Sequence, residues 1–230
     1  MNNKLIKRRL SKTRFVGRLL AQFPFVRCVI LNGSLAQNKS KESSDIDILI
    51  IAKSRRIFSA RFFVNVFGTI FKIKRSKDEV SGHAGKFCFN YFLTEDFLKI
   101  PTGRGEKMDC YCADNYSHSR FVAGDMKLYE KFMKENQGLF EKYGFKITKS
   151  KLQMTNKNPN YKFENDIMFS LRIKSGMIHC IGDWFERKVK LYQIKKIESD
   201  PRTKKYPDLI VYNDQELRFH PPKSELRIKN

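Results

Sequence analysis

Acidic residues are scarce in this chain of 230 residues, which has 24 Asp and Glu against 46 Lys and Arg, for a formal net charge of +22. None precedes Glu42, and more than half of the net positive charge lies in residues 1–80. Positive charge of this size attracts polyanions and repels cationic ligands. It therefore favours a nucleotide or RNA as a partner. Because the Lys residues are scattered, a basic surface with no such role is an equally good interpretation.

Long apolar runs are also missing, since no stretch approaches the roughly 20 residues that cross a bilayer. The longest candidate, residues 62–73, contains Asn65, Gly68 and Thr69 and predicts a buried helix. Arginines interrupt the basic N-terminal stretch where a signal peptide would need an apolar core. We therefore expect no membrane partner and a cytoplasmic location.

The five cysteines do not form a metal-binding or disulfide pattern. Cys110 and Cys112 are separated by one residue and no second pair follows, so the spacing of a tetrahedral zinc site is absent despite the nearby His118. Cys28 and Cys88 fall in predicted core strands, where we expect them to act as small apolar residues.

Two closely spaced carboxylates, Asp45 and Asp47, open an apolar run that predicts a buried β-strand over about 46–52. Residues i and i+2 of a strand point to the same face, so the two carboxylates should leave the sheet side by side. Like charges at that separation repel, and a bound divalent cation removes the repulsion. The pair therefore predicts a metal site with oxygen ligands.

A turn at Gly33-Ser34 follows another predicted strand, residues 26–32. Gly33 permits a tight turn and the close approach of a ligand, while the hydroxyl of Ser34 can cap a helix or contact a phosphate. Free backbone N–H groups at such a turn attract anions. A phosphate-binding turn beside a carboxylate pair suits a nucleoside triphosphate with Mg²⁺, as in two-metal nucleotidyl transfer.

Gly33-Ser34, ten intervening residues, then Asp45-Ile46-Asp47 resembles the motif of the polymerase-β-like nucleotidyltransferase superfamily. That superfamily includes CCA-adding enzymes, poly(A) polymerases, aminoglycoside nucleotidyltransferases and small bacterial minimal nucleotidyltransferases. The motif covers residues 33–47, and a looser match in element order extends to about residue 100. The resemblance implies an α/β core with a mixed sheet and Mg²⁺ (or Mn²⁺) on Asp45 and Asp47. It also implies that Gly33 and Ser34 hold the β- and γ-phosphates.

The family normally supplies a third carboxylate from a later strand, and here the strand predicted at about 86–93 carries Asn90 instead. An amide oxygen can ligate a metal but cannot act as a base. Three interpretations stay open. Asn90 is the third ligand of a slow or unusual transferase, or Glu95 or Asp96 substitutes for the carboxylate, or the protein binds a nucleotide without catalysis. Asn90 is also compatible with a polar group hydrogen-bonded inside a strand.

We predict an α/β (α+β) fold with a nucleotidyltransferase core over residues 1–105 and a helical region over 106–230. Between them, Pro101-Thr102-Gly103-Arg104-Gly105 marks a break. Further predicted elements are helices at about 4–22, 56–73, 108–123, 125–136 and 163–197, a linker at 149–160 and a final hairpin over 209–220. The first helix is expected to turn these residues inward: Leu5, Leu10, Phe15, Leu19 and Leu20. His83 is expected in a surface loop.

The functional hypothesis is metal-dependent attack of an acceptor hydroxyl on the α-phosphate of an NTP, with Asp45, Asp47 and Asn90 lining the site and pyrophosphate released. RNA, a protein side chain and a small molecule all stay open as acceptors. One alternative, favoured by Asn90, is a catalytically weak nucleotide- or RNA-binding protein. The other is a regulatory protein partner, such as the antitoxin of a toxin pair.

Overall fold

The computed structural model describes residues 3–75, 84–103, 105–145, 175–205, 207 and 210–219. The helices are α1 (Asn3–Ala21), α2 (Gly33–Ala36), α3 (Ile57–Ile70), α4 (Glu106–Ser117), α5 (Met126–Glu135), α6 (Gln137–Lys142), α7 (Ser175–Glu198) and α8 (Pro201–Lys205). The strands are β1 (Val26–Asn32), β2 (Ile46–Ala52), β3 (Phe87–Thr94), β4 (Arg120–Gly124), β5 (Val211–Tyr212) and β6 (Glu216–Arg218).

The six strands form one mixed sheet in the order β4-β1-β2-β3-β6-β5. Strands β2 and β3 run parallel, and every other neighbouring pair in the sheet is antiparallel. The predicted α/β (α+β) class with a small mixed sheet flanked by helices is confirmed. The C-terminal hairpin is confirmed as well, because β5 and β6 pair with each other and β6 adds to the edge of β3.

Helices cover both faces of the sheet, which is why β2 is apolar at nearly every position. On one face, Ile46, Ile48 and Ile50 pack in a cluster with residues of α1, α3 and α7. On the other face, Leu49 and Ile51 pack in a second cluster with residues of α4, α5 and α6. The alternation along β2 therefore assigns odd-numbered residues, including Asp45 and Asp47, to the side of α4.

The predicted first helix is confirmed, but its predicted inward face is wrong at Phe15 and Leu19. Phe15 is 67% and Leu19 39% exposed, whereas Leu20 is buried as predicted. The other buried residues of the helix are Ile6, Arg9, Thr13, Val16, Gly17 and Ala21. The helix turns Gly17 toward β4, where an added Cβ would lie 2.3 Å from Val122 Cγ1. Close packing at this glycine sets the rotation of α1 and moves Phe15 and Leu19 out of the core.

Residues 108–123, predicted as a single helix, instead form α4 and then β4. The short apolar segment Phe121-Val122-Ala123 is too brief to distinguish a strand from a helix end by periodicity. Pairing with β1 decides the outcome, because β4 completes the sheet beside Cys28 to Leu31. A strand from residues 106–230 thus joins the sheet of residues 1–105, and the division into two domains stays a prediction.

Several predicted segments lie outside the described residues: the linker at 149–160, the N-terminal part of the helix predicted at 163–197, and His83. The described part of that helix is α7, which ends at Glu198, close to the predicted end. A bilayer-crossing helix is absent from the described part of the chain.

Glu186 of α7 caps the N-terminus of α3. Its carboxylate accepts the backbone N–H groups of Phe58 (2.9 Å) and Ser59 (2.8 Å), two of the donors that the first turn of a helix leaves without partners. The residue before α3, Arg56, provides no side-chain cap of its own. Next to this contact, Gln193 Nε2 donates to Phe58 O at 2.8 Å. These contacts join α3 to α7 through residues that are 128 positions apart in the sequence.

We predict that Glu186→Ala lowers the free energy of unfolding by about 3 kcal/mol, because it leaves two buried N–H groups without an acceptor. Urea unfolding followed by circular dichroism measures the change. The exposed Glu198→Ala on the same helix is the control and should alter stability by less than about 0.5 kcal/mol. Equal effects of the two substitutions would contradict the capping role of Glu186.

Candidate metal centre

The turn after β1 brings the two halves of the Gly-Ser and Asp-Asp motif into contact. Gly33 begins α2 with φ +71°, and a Cβ added to it would lie 2.3 Å from Asp47 Oδ2. Asn32, just before the turn, is the cross-strand partner of Asp47 in the β1–β2 pair. Only glycine has the backbone freedom and the space for this contact. The half-buried Ser34 follows in α2, at the same edge of the sheet.

Asp45 and Asp47 lie on one face, as the alternation of the strand predicts. Asp45 is buried and Asp47 half-buried, and one oxygen of each lies within 4.8 Å of the other and of Cys88 Sγ. This is the cluster of side chains in the described residues that could hold a metal ion. The predicted pair therefore exists as a pair, and its role in binding or catalysis stays a prediction.

Cys88 takes the third position of the cluster, a role that sequence reasoning missed. It is the partner of Asp47 in the parallel β2–β3 pair, so its side chain points to the same face. Cys88 is buried in a core strand, as predicted, and it also lies beside the two carboxylates. It is 2% exposed, yet it belongs to neither of the two apolar clusters. Strand alternation contained the signal, because Cys88 and Asn90 share a face two residues apart.

Asn90 lies beside the cluster with its amide nitrogen directed at the sulfur. Its Nδ2 donates to Cys88 Sγ at 2.9 Å, and its backbone oxygen accepts from Phe219 N at 3.0 Å. The β2–β3 register shifts between Asp47 and Leu49, so β3 carries an extra residue where Asn90 lies. Asn90 thus contacts a candidate ligand directly, and its own function stays open.

Glu95 and Asp96, considered from sequence as substitutes for a third carboxylate, lie at the other end of β3. Glu95 N donates to Ala52 O, five residues along β2 from Asp47, which is about 16 Å at the rise of a strand. The Glu95 carboxylate pairs with Arg27 Nε at 3.1 Å. Both residues are too far from the cluster to provide its third carboxylate, so that interpretation is excluded.

Two arginine side chains lie near the carboxylates. Arg75 Nη1 lies 2.6 Å from Asp45 Oδ2, a charge-assisted contact that offsets the repulsion between the two aspartates. Arg9 donates to Ser40 Oγ and to the backbone oxygens of Lys41 and Glu42, all at 2.6 Å. Burial lowers the pKa of Arg9, and the negative charges of Glu42 and Asp45 oppose that shift. The rim of the cluster is therefore positively charged.

Tyr111 of α4 is a second residue that the sequence did not single out. Burial of the phenol and then the nearby carboxylate of Asp47, with a smaller effect of Asp45, raise the pKa of Tyr111 to about 12. The ring still exposes 42% of its surface, so it lies at the mouth of the site. The Tyr111 hydroxyl is therefore protonated at neutral pH. Nothing in its sequence context marks it, since it occupies an ordinary helical position.

The donor atoms suit a divalent cation. Ligand atoms that share one tetrahedral ion lie roughly 3.3 to 3.8 Å apart. The ligand atoms of Asp45, Asp47 and Cys88 lie within 4.8 Å of one another, so small side-chain movements would bring them to that spacing. Two carboxylates provide hard oxygen ligands, as for Mg²⁺ or Mn²⁺, and the sulfur adds a softer donor. The close contact between Asp47 and Gly33 holds one of these candidate ligands in place. The residues present therefore fit a metal ion, without identifying which one.

No family model and no curated protein matches this sequence. Among solved structures, the chain is similar to one described as "Crystal structure of the toxin-antitoxin with AMP-PNP", at 14% sequence identity and a TM-score of 0.32. The similarity covers 67% of this chain and 96% of that one. At that level it supports no inference about activity, so the functional interpretation depends on the motif and on the geometry of the cluster.

We predict that Gly33→Ala weakens the binding of Mn²⁺ at least about tenfold, because its Cβ displaces the carboxylate of Asp47. Electron paramagnetic resonance of free Mn²⁺ measures the affinity. The strained backbone should also cost about 1–3 kcal/mol of stability. Gly138→Ala is the matched control, since Gly138 lies in α6 with open space at its Cβ position. Unchanged Mn²⁺ affinity in folded Gly33→Ala protein would refute the supporting role of the turn.

Proposed function

We propose that this protein is a metal-dependent nucleotidyltransferase that transfers NMP from an NTP to an acceptor hydroxyl and releases pyrophosphate. The observation that carries the proposal is the contact between the Gly33 turn and Asp47, within a cluster that also contains Asp45. Such a reaction requires a backbone turn that can bind phosphate next to a metal ligand, and the contact between Gly33 and Asp47 places these two elements side by side. The sequence motif and the geometry support the same residues independently.

In this proposal each residue has a distinct task. Asp45 and Asp47 hold the ion, which neutralises charge on the phosphates and orients the attacked α-phosphorus. Backbone N–H groups at Gly33 and Ser34 bind the β- and γ-phosphates. The Tyr111 hydroxyl, which stays protonated because its pKa is raised, would be available as a hydrogen-bond donor to the phosphates.

The basic rim supports a polyanionic substrate. A triphosphate brings several negative charges toward two carboxylates, and Arg9, Lys12 and Arg75 provide compensating positive charge nearby. Arg75, now paired with Asp45, is partly exposed and long enough to turn toward a phosphate. The excess of basic residues in the first part of the chain thus serves substrate attraction in this proposal.

RNA is the acceptor class that the surface favours. The outer face of α7 exposes large apolar and basic side chains together: Trp184, Arg187, Lys188, Leu191, Tyr192, Lys195 and Lys196. Aromatic rings that stack on bases beside cations that meet phosphates are typical of RNA-binding surfaces. This face lies on the other side of the sheet from the cluster, so it would anchor a long polymer rather than position the reacting hydroxyl.

A second candidate function is metal-dependent nucleotide binding without turnover. It is favoured by the third position of the cluster, where the described residues place Cys88 and Asn90 rather than a carboxylate. A neutral amide cannot remove the proton of an acceptor hydroxyl. The two candidates share the same site and differ in whether labelled nucleotide is transferred.

We predict transfer of label from an α-³²P-labelled NTP to cell RNA or protein in the presence of Mg²⁺ or Mn²⁺. Asp45→Ala and Asp47→Ala should each reduce it at least about a hundredfold, because each removes an ion ligand. Asp214→Asn, an exposed acid paired with Lys190, is the control and should retain full activity. Transfer that survives both active-site changes would place the chemistry elsewhere. Metal-dependent NTP binding without transfer would support the second candidate.

We predict that Asn90→Asp raises the rate of transfer about tenfold or more, because it supplies the base that the third position lacks. Single-turnover rates at saturating NTP separate this effect from a change in binding. Asn90→Ala is the comparison, since it removes the amide without adding a carboxylate. A rate for Asn90→Asp at or below that of the unmodified protein would show that proton removal does not limit the reaction.

A further inference from the structure

Cys88 differs from the other described buried cysteines in its surroundings. Cys28 and Cys112 both pack within the apolar cluster formed with α4, α5 and α6. Cys88 is equally buried but belongs to neither apolar cluster, and its neighbours on the same face are Asp47 across the strand pair and Asn90. A thiol that served only as a small apolar residue would not be surrounded by polar groups in this way.

The hydrogen bond that Asn90 donates to Cys88 Sγ is of the kind that orients the side chain of a metal ligand. An amide N–H that donates to sulfur stabilises negative charge on it and fixes the direction of its lone pairs. The same bond explains why a strand residue of this polarity is tolerated next to a buried thiol. Asn90 is thereby positioned to orient the sulfur of Cys88.

We propose that Cys88 is a ligand of the metal ion and that its thiolate gives the site a preference for a thiophilic divalent ion of the Zn²⁺ and Co²⁺ type over Mg²⁺. The inference rests on the metal site of the proposed function and identifies its ion class. Carboxylate-only sites suit hard ions such as Mg²⁺, whereas thiolate selects softer ones.

Binding exchanges a proton for the ion. The S–H bond of Cys88 breaks, the proton passes to solvent, and a sulfur–metal bond forms while Asp45 and Asp47 contribute one oxygen each. No change of oxidation state is involved. Three protein ligands leave one tetrahedral position open, which is the arrangement of zinc sites that bind a substrate or water. A triphosphate oxygen would be able to occupy that position, so this ligand set does not conflict with nucleotide binding.

The experiment uses the full chain, freed of metal with a chelator and titrated with Co²⁺ under reducing conditions. We expect a thiolate-to-cobalt charge-transfer band in the near ultraviolet that saturates at one equivalent. Cys88→Ser should lose the band, while Cys110→Ser, Cys112→Ser and Cys180→Ser should each retain it. Competition between Zn²⁺ and Mg²⁺ should show a preference for Zn²⁺ that falls at least about tenfold in Cys88→Asp.

Three outcomes bear on the proposal. A band lost only in Cys88→Ser supports it. Binding of Co²⁺ at Asp45 and Asp47 without a thiolate band overturns it and leaves the proposed function standing. No binding of any divalent ion overturns both. If Cys88→Ser does not fold, X-ray absorption of the unmodified Co²⁺ protein answers the same question, since sulfur in the first coordination sphere is required and its absence is decisive.

Discussion

Repulsion between two carboxylates at the start of a buried strand is the constraint on which the site depends. Asp45 and Asp47 share a face because β2 alternates, and the apolar residues that follow hold that alternation in place between two layers of helices. Gly33 leaves room for Asp47, and Arg75 neutralises Asp45. These contacts allow the fold to keep two acids where a cation can bind both. Loss of any of these contacts would let the two carboxylates move apart or let one of them turn to solvent.

Much of this arrangement was predictable from local patterns. The strand at 46–52, the turn at Gly33 and the shared face of the two aspartates follow from apolar runs, glycine and a period of two. The same reasoning failed where tertiary contacts decide the outcome. Residues 120–124 form a strand because β1 offers them an edge, and α1 rotates because Gly17 packs against Val122. Neither partner is visible from the segment itself.

Among the neighbours of the two aspartates, too, some were predictable from local sequence patterns and others were not. Cys88 was predictable in principle, because it shares a face with Asn90 in a strand that runs beside β2. The parallel register that places Cys88 opposite Asp47 was not, because register depends on a bulge that leaves no mark in the sequence. Arg75 and Tyr111 reach the cluster from a loop and a helix. Their approach is set by the packing of whole elements rather than by any local spacing.

The strand that pairs with the outer side of β3 follows it at a long distance in the sequence. Strand β6 pairs with β3 along the edge next to Asn90, and the segment that supplies it begins at Glu216. Until those residues leave the ribosome, the growing chain carries β3 with one side unpaired and apolar, a template for wrong strand addition. This edge of the sheet can therefore form only after β6 has been made, well after the Gly33 and Asp47 elements have emerged.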